Sequence, residues 1–173
     1  MAMYNGKVRG QKRRLKQLLK YIDEIKPYTK AERADEVRFE HFHVPSTVWI
    51  EKPKTSSKIK TVFCKAWIRK TEEILKAKPK DIEFCKVVCN LTVPKLWDSQ
   101  IIIFYDRKYY ESFWDRQVGW QNWTMIENGS SLKKERNIQT DLNEVCFKET
   151  IIDEDFTSVS NIWFYGEVND GCI

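Results

Sequence analysis

A change of hydrophobic period part-way along the chain sets the narrowest limit on what it can fold into. Within residues 7–25, Leu15, Leu18, Leu19, Ile22 and Ile25 recur at the three-and-four spacing that lines one face of a helix. Pro27 stops that helix, because proline brings no backbone donor and restricts the residue before it. Ile59, Val62, Phe63, Ala66, Trp67 and Ile74 mark a second amphipathic helix, entered from the polar loop 52–58 and ending near Pro79. Between the two, Val37, Phe39, His41 and His43 alternate with Arg38, Glu40, Phe42 and Val44, which predicts a strand ending near Pro45, with a second short strand over 47–50. From residue 82 a pattern of β-rich runs predominates. It predicts strands over 82–93, 100–105, 120–126, 145–152 and 158–168, with a short aromatic helix over 107–116 and a polar loop, at most one helical turn, over 128–140.

Helix, strand, helix and then mainly strands is the order of an α+β domain: an antiparallel sheet with two N-terminal amphipathic helices packed on one face. The late clustering of strands disfavours a doubly wound parallel sheet. At 173 residues the chain fills one core comfortably, so a single domain over 1–173 is expected. The 7 Trp, 7 Tyr and 9 Phe supply more large apolar surface than a disordered chain keeps in water. No stretch approaches the ~20 apolar residues that span a bilayer, and the N-terminus runs straight into basic residues, so a cytoplasmic protein is expected. Five cysteines, an odd and widely spaced set, read as reduced thiols.

The net charge of +5 conceals a split. Residues 1–80 carry 21 Lys+Arg against 9 Asp+Glu, and residues 81–173 carry 9 against 16. Such asymmetry signals either a basic surface for an anionic partner or two halves that attract one another within one fold.

Candidate chemistry is sparse. His41 and His43, the only histidines, sit one residue apart in a strand, so both rings project from one face and could share a metal or divide general-base and oxyanion work. A metal would need a further ligand, for which Asp153, Asp155 and Glu167 are the candidates; the plain alternative is two histidines on a half-buried sheet face. A paired-histidine phosphoesterase would need a second copy of the motif, and the chain has one. No phosphate-binding Gly-Lys-Ser/Thr loop, dinucleotide fingerprint or Gly-x-Ser-x-Gly elbow occurs, and no motif implies a cofactor. The first helix is the clearest binding candidate: Arg9, Arg13, Lys16 and Lys20 share a face with Lys12 alongside, enough cations to meet several phosphates or an acidic protein. Aromatics concentrate instead over 104–123, where Tyr109, Tyr110, Trp114, Trp120 and Trp123 are of the types that anchor interfaces.

The segments Leu96-Trp97-Asp98-Ser99-Gln100-Ile101-Ile102-Ile103-Phe104, Glu135-Arg136-Asn137-Ile138-Gln139-Thr140, Phe147-Lys148-Glu149, Asp153-Glu154-Asp155 and Ile162-Trp163-Phe164-Tyr165-Gly166-Glu167 resemble those of a bacterial family filed as domain of unknown function 3916. Arg9-Gly10 in a basic helix and the His41-x-His43-x-Pro45 run are similar too. The resemblance implies a bacterial cytosolic single domain and supplies no activity, cofactor or catalytic residue. Three functions stay open: a non-enzymatic protein that binds and inhibits a protein partner, as immunity proteins do; a domain that binds or cleaves a small ligand or phosphoester with His41 and His43; and nucleic-acid binding through the first helix.

Overall fold

In the computed structural model, which describes residues 10–45, 56–93, 96–119, 123–125, 131–149 and 159–166, the change of period becomes helices laid against a sheet. Helix α1 (Gln11–Glu24) follows Gly10, whose φ of 89° suits glycine, and ends at Ile25, two residues short of Pro27. Helix α2 (Ser57–Lys76) begins at Ser56, whose hydroxyl accepts the Ile59 N–H at 3.4 Å. The short strand expected over 47–50 lies outside the described residues.

The strands are β1 (Phe39–His43), β2 (Lys86–Val93), β3 (Gln100–Phe104), β4 (Trp123–Met125), β5 (Asn143–Glu149) and β6 (Val159–Gly166). They form one six-stranded sheet in the order β1-β3-β2-β6-β5-β4, every neighbouring pair antiparallel. β2 with β3 and β5 with β6 are near-sequence neighbours, and β6 also inserts beside β2. Its composition suits a central place: Ile162 and Phe164 are buried on one face and Trp163 on the other.

Alternation along the strands divides the apolar residues into two cores. Val87, Cys89, Leu91, Ile101, Ile103 and Phe164 join Leu18 and Ile22 of α1 and Phe63, Trp67 and Ile74 of α2. Helix α2 lies against β2 and β6, while α1 packs chiefly on α2. Val88, Ile102, Phe104 and Trp163 point the other way, to Tyr109, Tyr110, Phe113 and Trp114 of α3 (Arg107–Gly119). The sheet is therefore covered on both faces, and the helix on the second face is one that periodicity located without assigning it a side. A short helix α4 (Leu132–Glu135) supplies the one turn expected in the polar loop, held at its start by Glu144, which accepts from the Ser131 hydroxyl at 2.7 Å and the Leu132 N–H at 2.8 Å.

The attraction expected between a basic and an acidic half takes no form as ion pairs among the described residues. Those pairs join Lys20 to Glu24, Arg33 to Glu36, Arg69 to Asp23 and Glu73, and Lys70 to Glu73, all within the basic half. Among the described residues the halves meet through contacts such as that of the Arg136 guanidinium, which donates to Thr61 at 2.9 Å.

Candidate functional site

Strand β1 forms one edge of the sheet and carries both histidines. Phe39, His41 and His43 share a face, as the alternation predicts, and the two imidazole centroids stand 3.8 Å apart. His41 is half-buried and its Nε2 lies 2.5 Å from Gln100 Oε1 on β3. Burial pushes the His41 pKa down, the Gln100 contact opposes this, and the neighbouring His43 adds to the depression. His43 is exposed. Asp153, Asp155 and Glu167 lie outside the described residues, and no group of three or more metal-ligating side chains occurs among those described.

On the same sheet face, beyond the aromatic cluster, lies a band of polar side chains. Asn90 is 1% exposed and donates to Asn161 Oδ1 at 3.1 Å, and the Thr92 hydroxyl lies 2.7 Å from Asn90 Oδ1 and 2.8 Å from Asn161 Oδ1. With Gln100 and the histidines they make one half of this face polar and leave the half under α3 aromatic. The buried indole N–H of Trp163, opposite Asn90 in register, has no partner among the described residues.

The opposite side of β1 holds the residue that sequence reasoning missed. Glu40 is buried, and its carboxylate accepts from Lys30 N–H at 2.8 Å, Thr29 N–H at 3.2 Å, the Thr29 hydroxyl at 3.0 Å and the Tyr105 hydroxyl. Next to it Tyr28, at a φ of 62°, donates to Ile74 O at 2.6 Å and receives Cys85 Sγ at 3.9 Å. Burial first, and the Glu40 charge beside it, push the Tyr105 hydroxyl well above the usual tyrosine range. The signal was present: Glu40 shares its alternation with Phe42 and Val44, and a charge in an apolar register needs partners. This network pins the 28–30 turn to the sheet and is structural.

The aromatic candidates are half-buried and occupied by one another. Tyr109 stacks on Phe39 with centroids 5.3 Å apart, Tyr110 meets Phe104 edge-on at 5.3 Å, and Trp114 meets Trp163 at 5.7 Å and Tyr165 at 5.5 Å. Trp120 and the side chain of Trp123 lie outside the described residues, as does Arg9. On α1, Lys12, Arg13, Lys16 and Lys20 are exposed; Lys20 pairs with Glu24 at 3.6 Å, while the other three carry no ion pair among the described residues. Burial raises the pKa values of Cys64, Cys85 and Cys89, that of Cys64 to about 11 and that of Cys89 to about 12, which keeps these three thiols protonated and poorly nucleophilic. Sequence reading also missed a cavity of ≈ 380 Å³ between α2 and the 141–143 segment, lined by Glu72, Lys76, Asp141 and Tyr165 among others.

A family model described as "Protein of unknown function (DUF3916)" matches residues 19–167, from the middle of α1 through the end of β6. The chain belongs to the DUF3916 family. The matched stretch of this DUF3916 protein includes β1, its two histidines and the whole sheet, whereas Lys12, Arg13 and Lys16 precede it. Neither the curated proteins nor the solved structures contain a match.

Proposed function

We propose that this DUF3916 protein is a small bacterial, cytoplasmic, non-enzymatic interaction protein that docks on an acidic surface of a protein partner and inhibits it, as immunity proteins do. One observation carries the reading: Lys12, Arg13 and Lys16 stand exposed on α1 without an ion pair among the described residues, while the described acids nearby, Asp23 and Glu24, are engaged elsewhere. In this reading α1 and α2 form one layer over a single sheet face, with α1 its outer member. Unpaired like charges on a rigid helix steer an oppositely charged partner and quicken its arrival more than they deepen its affinity. The free thiols of Cys64, Cys85 and Cys89 suit a reducing compartment.

Titration with poly-glutamate at low and high salt tests it, using the wild type and a variant carrying Lys12→Glu, Arg13→Glu and Lys16→Glu. Wild-type affinity should fall with salt, and the variant should bind at least about tenfold more weakly, a loss of about 1.4 kcal/mol. Equal binding by the variant overturns the reading. Tighter binding of a DNA duplex than of poly-glutamate, with the steep salt slope of phosphate contacts, replaces it with nucleic-acid binding through the same helix. Any partner recovered must lose activity when the wild-type protein is added.

The adjacency of His41 and His43 favours a second reading, in which the pair contacts a small phosphoester. Its test is the movement of both imidazole proton resonances on titration with inorganic phosphate. Unmoved resonances end it.

A further inference from the structure

We infer that the partner is engaged by strand addition: an acidic, extended segment pairs with the outer edge of β1. The inference rests on the proposed interaction role and names how it is carried out. Tyr105 N–H donates to Arg38 O at 2.9 Å and Val44 N–H donates to Ser99 O at 3.3 Å, so the even-numbered residues of this stretch turn their peptide groups toward β3. In an antiparallel ladder the N–H and C=O of one residue point the same way, and successive residues point oppositely. The peptide groups of Phe39, His41 and His43 therefore face outward. Among the described residues only the Tyr21 hydroxyl reaches them, donating to His43 O at 2.8 Å.

Such an edge is normally blunted by lysine, proline, a bulge or an inward-pointing charge, because it templates another strand; the inward charge here, Glu40, is held by four donors of its own fold. Phe39–His43 contains neither lysine nor proline and pairs in unbroken register with β3. Among the described residues the outward peptide groups of this strand, about 17 Å long, are unpaired except at His43 O, which leaves the length of a short recognition peptide.

Charge selects the occupant. The guanidinium carbons of Arg38 and Arg116 lie 5.8 and 5.1 Å from the centroid of the Tyr109 ring, and that ring stacks on Phe39 at one end of β1. His41 and His43 line the other end. The single acid of the strand, Glu40, is buried and turned to the opposite face, where four donors hold it. An incoming strand thus meets cations and imidazoles along its length, which suits glutamates or aspartates at alternate positions.

The probe is a synthetic hexapeptide of alternating glutamate and valine, added to the full chain, with amide hydrogen exchange read residue by residue. Exchange at the Phe39 and His41 amides should slow several-fold in a saturable manner. The same peptide N-methylated at alternate residues, which cannot complete the ladder, should give no protection, and an alternating lysine and valine peptide should bind at least about tenfold more weakly. Equal protection by the N-methylated peptide, or binding that leaves both amides unchanged, overturns strand addition. If poly-glutamate still binds α1 in that case, the interaction role stands without this mode. If β1 is protected equally in the α1 charge-reversal variant, the mode stands and the role of α1 falls.

Discussion

At Glu40 one side chain holds a turn, a strand and a tyrosine together. A buried carboxylate keeps its charge only where donors replace its lost water, and here two backbone amides and two hydroxyls do so. Glu40→Gln should therefore lower stability by about 2–3 kcal/mol, because the amide turns an NH₂ toward groups that are themselves donors. Tyr105→Phe, which removes one donor, should cost about 1–2 kcal/mol, and urea denaturation measures both. His41 supplies a pH dependence of known sign. Its folded pKa lies below the ordinary value of about 6.5, so an unfolded chain takes the proton more readily. Its contribution is whole above pH ~6.5 and declines as the pH falls toward the folded value. Proton NMR should find the His41 resonance titrating below that of free histidine, and His43→Ala should raise it by removing the neighbouring imidazole. The adjacency of the two rings was legible from alternation alone. The partners of Glu40 were not, since Thr29 and Lys30 reach it from a turn whose path depends on Tyr28 adopting a left-handed backbone.

Most element boundaries follow from period and punctuation. Pro27 and Ser56 act through backbone donors and their acceptors, and these are local effects that a sequence displays. The side on which an element packs is a tertiary property, and α3 shows the difference. Eight large aromatics between residues 104 and 123 look surplus to one core, yet the sheet has a second face, and Tyr109, Tyr110, Phe113 and Trp114 fill it. Trp114→Ala should lower stability by about 2 kcal/mol by removing its contacts with Trp163 and Tyr165, while leaving poly-glutamate affinity unchanged, since the cations of α1 lie on the other layer. Chemical denaturation and the titration described above, run on the one variant, check both. A clear loss of affinity without loss of stability would show Trp114 to be an anchor for the partner instead.

For the molecule as a whole, connectivity follows the sequence less closely than its elements do. The hairpin-like pairs are visible in the spacing of strands, but the joint between β2 and β6 brings together residues such as Asn90 and Asn161, which are 71 positions apart. Nothing local marks that pairing except the apolar character of β6 on both its faces. Because β6 joins β1, β3 and β2 to β5 and β4, both cores depend on it, through Phe164 on one side and Trp163 on the other. Far-UV and near-UV circular dichroism should accordingly report one coincident unfolding transition, and a chain cut after residue 157 should show none. The same joint sets the order of events during synthesis. Until residue 166 has left the ribosome, β2 presents the backbone groups meant for β6 to solvent. A nascent chain in that state is a ready seed for edge-to-edge aggregation, so its yield in a cell should respond to translation speed and to chaperones that shield exposed strands, more than to the stability of the finished fold.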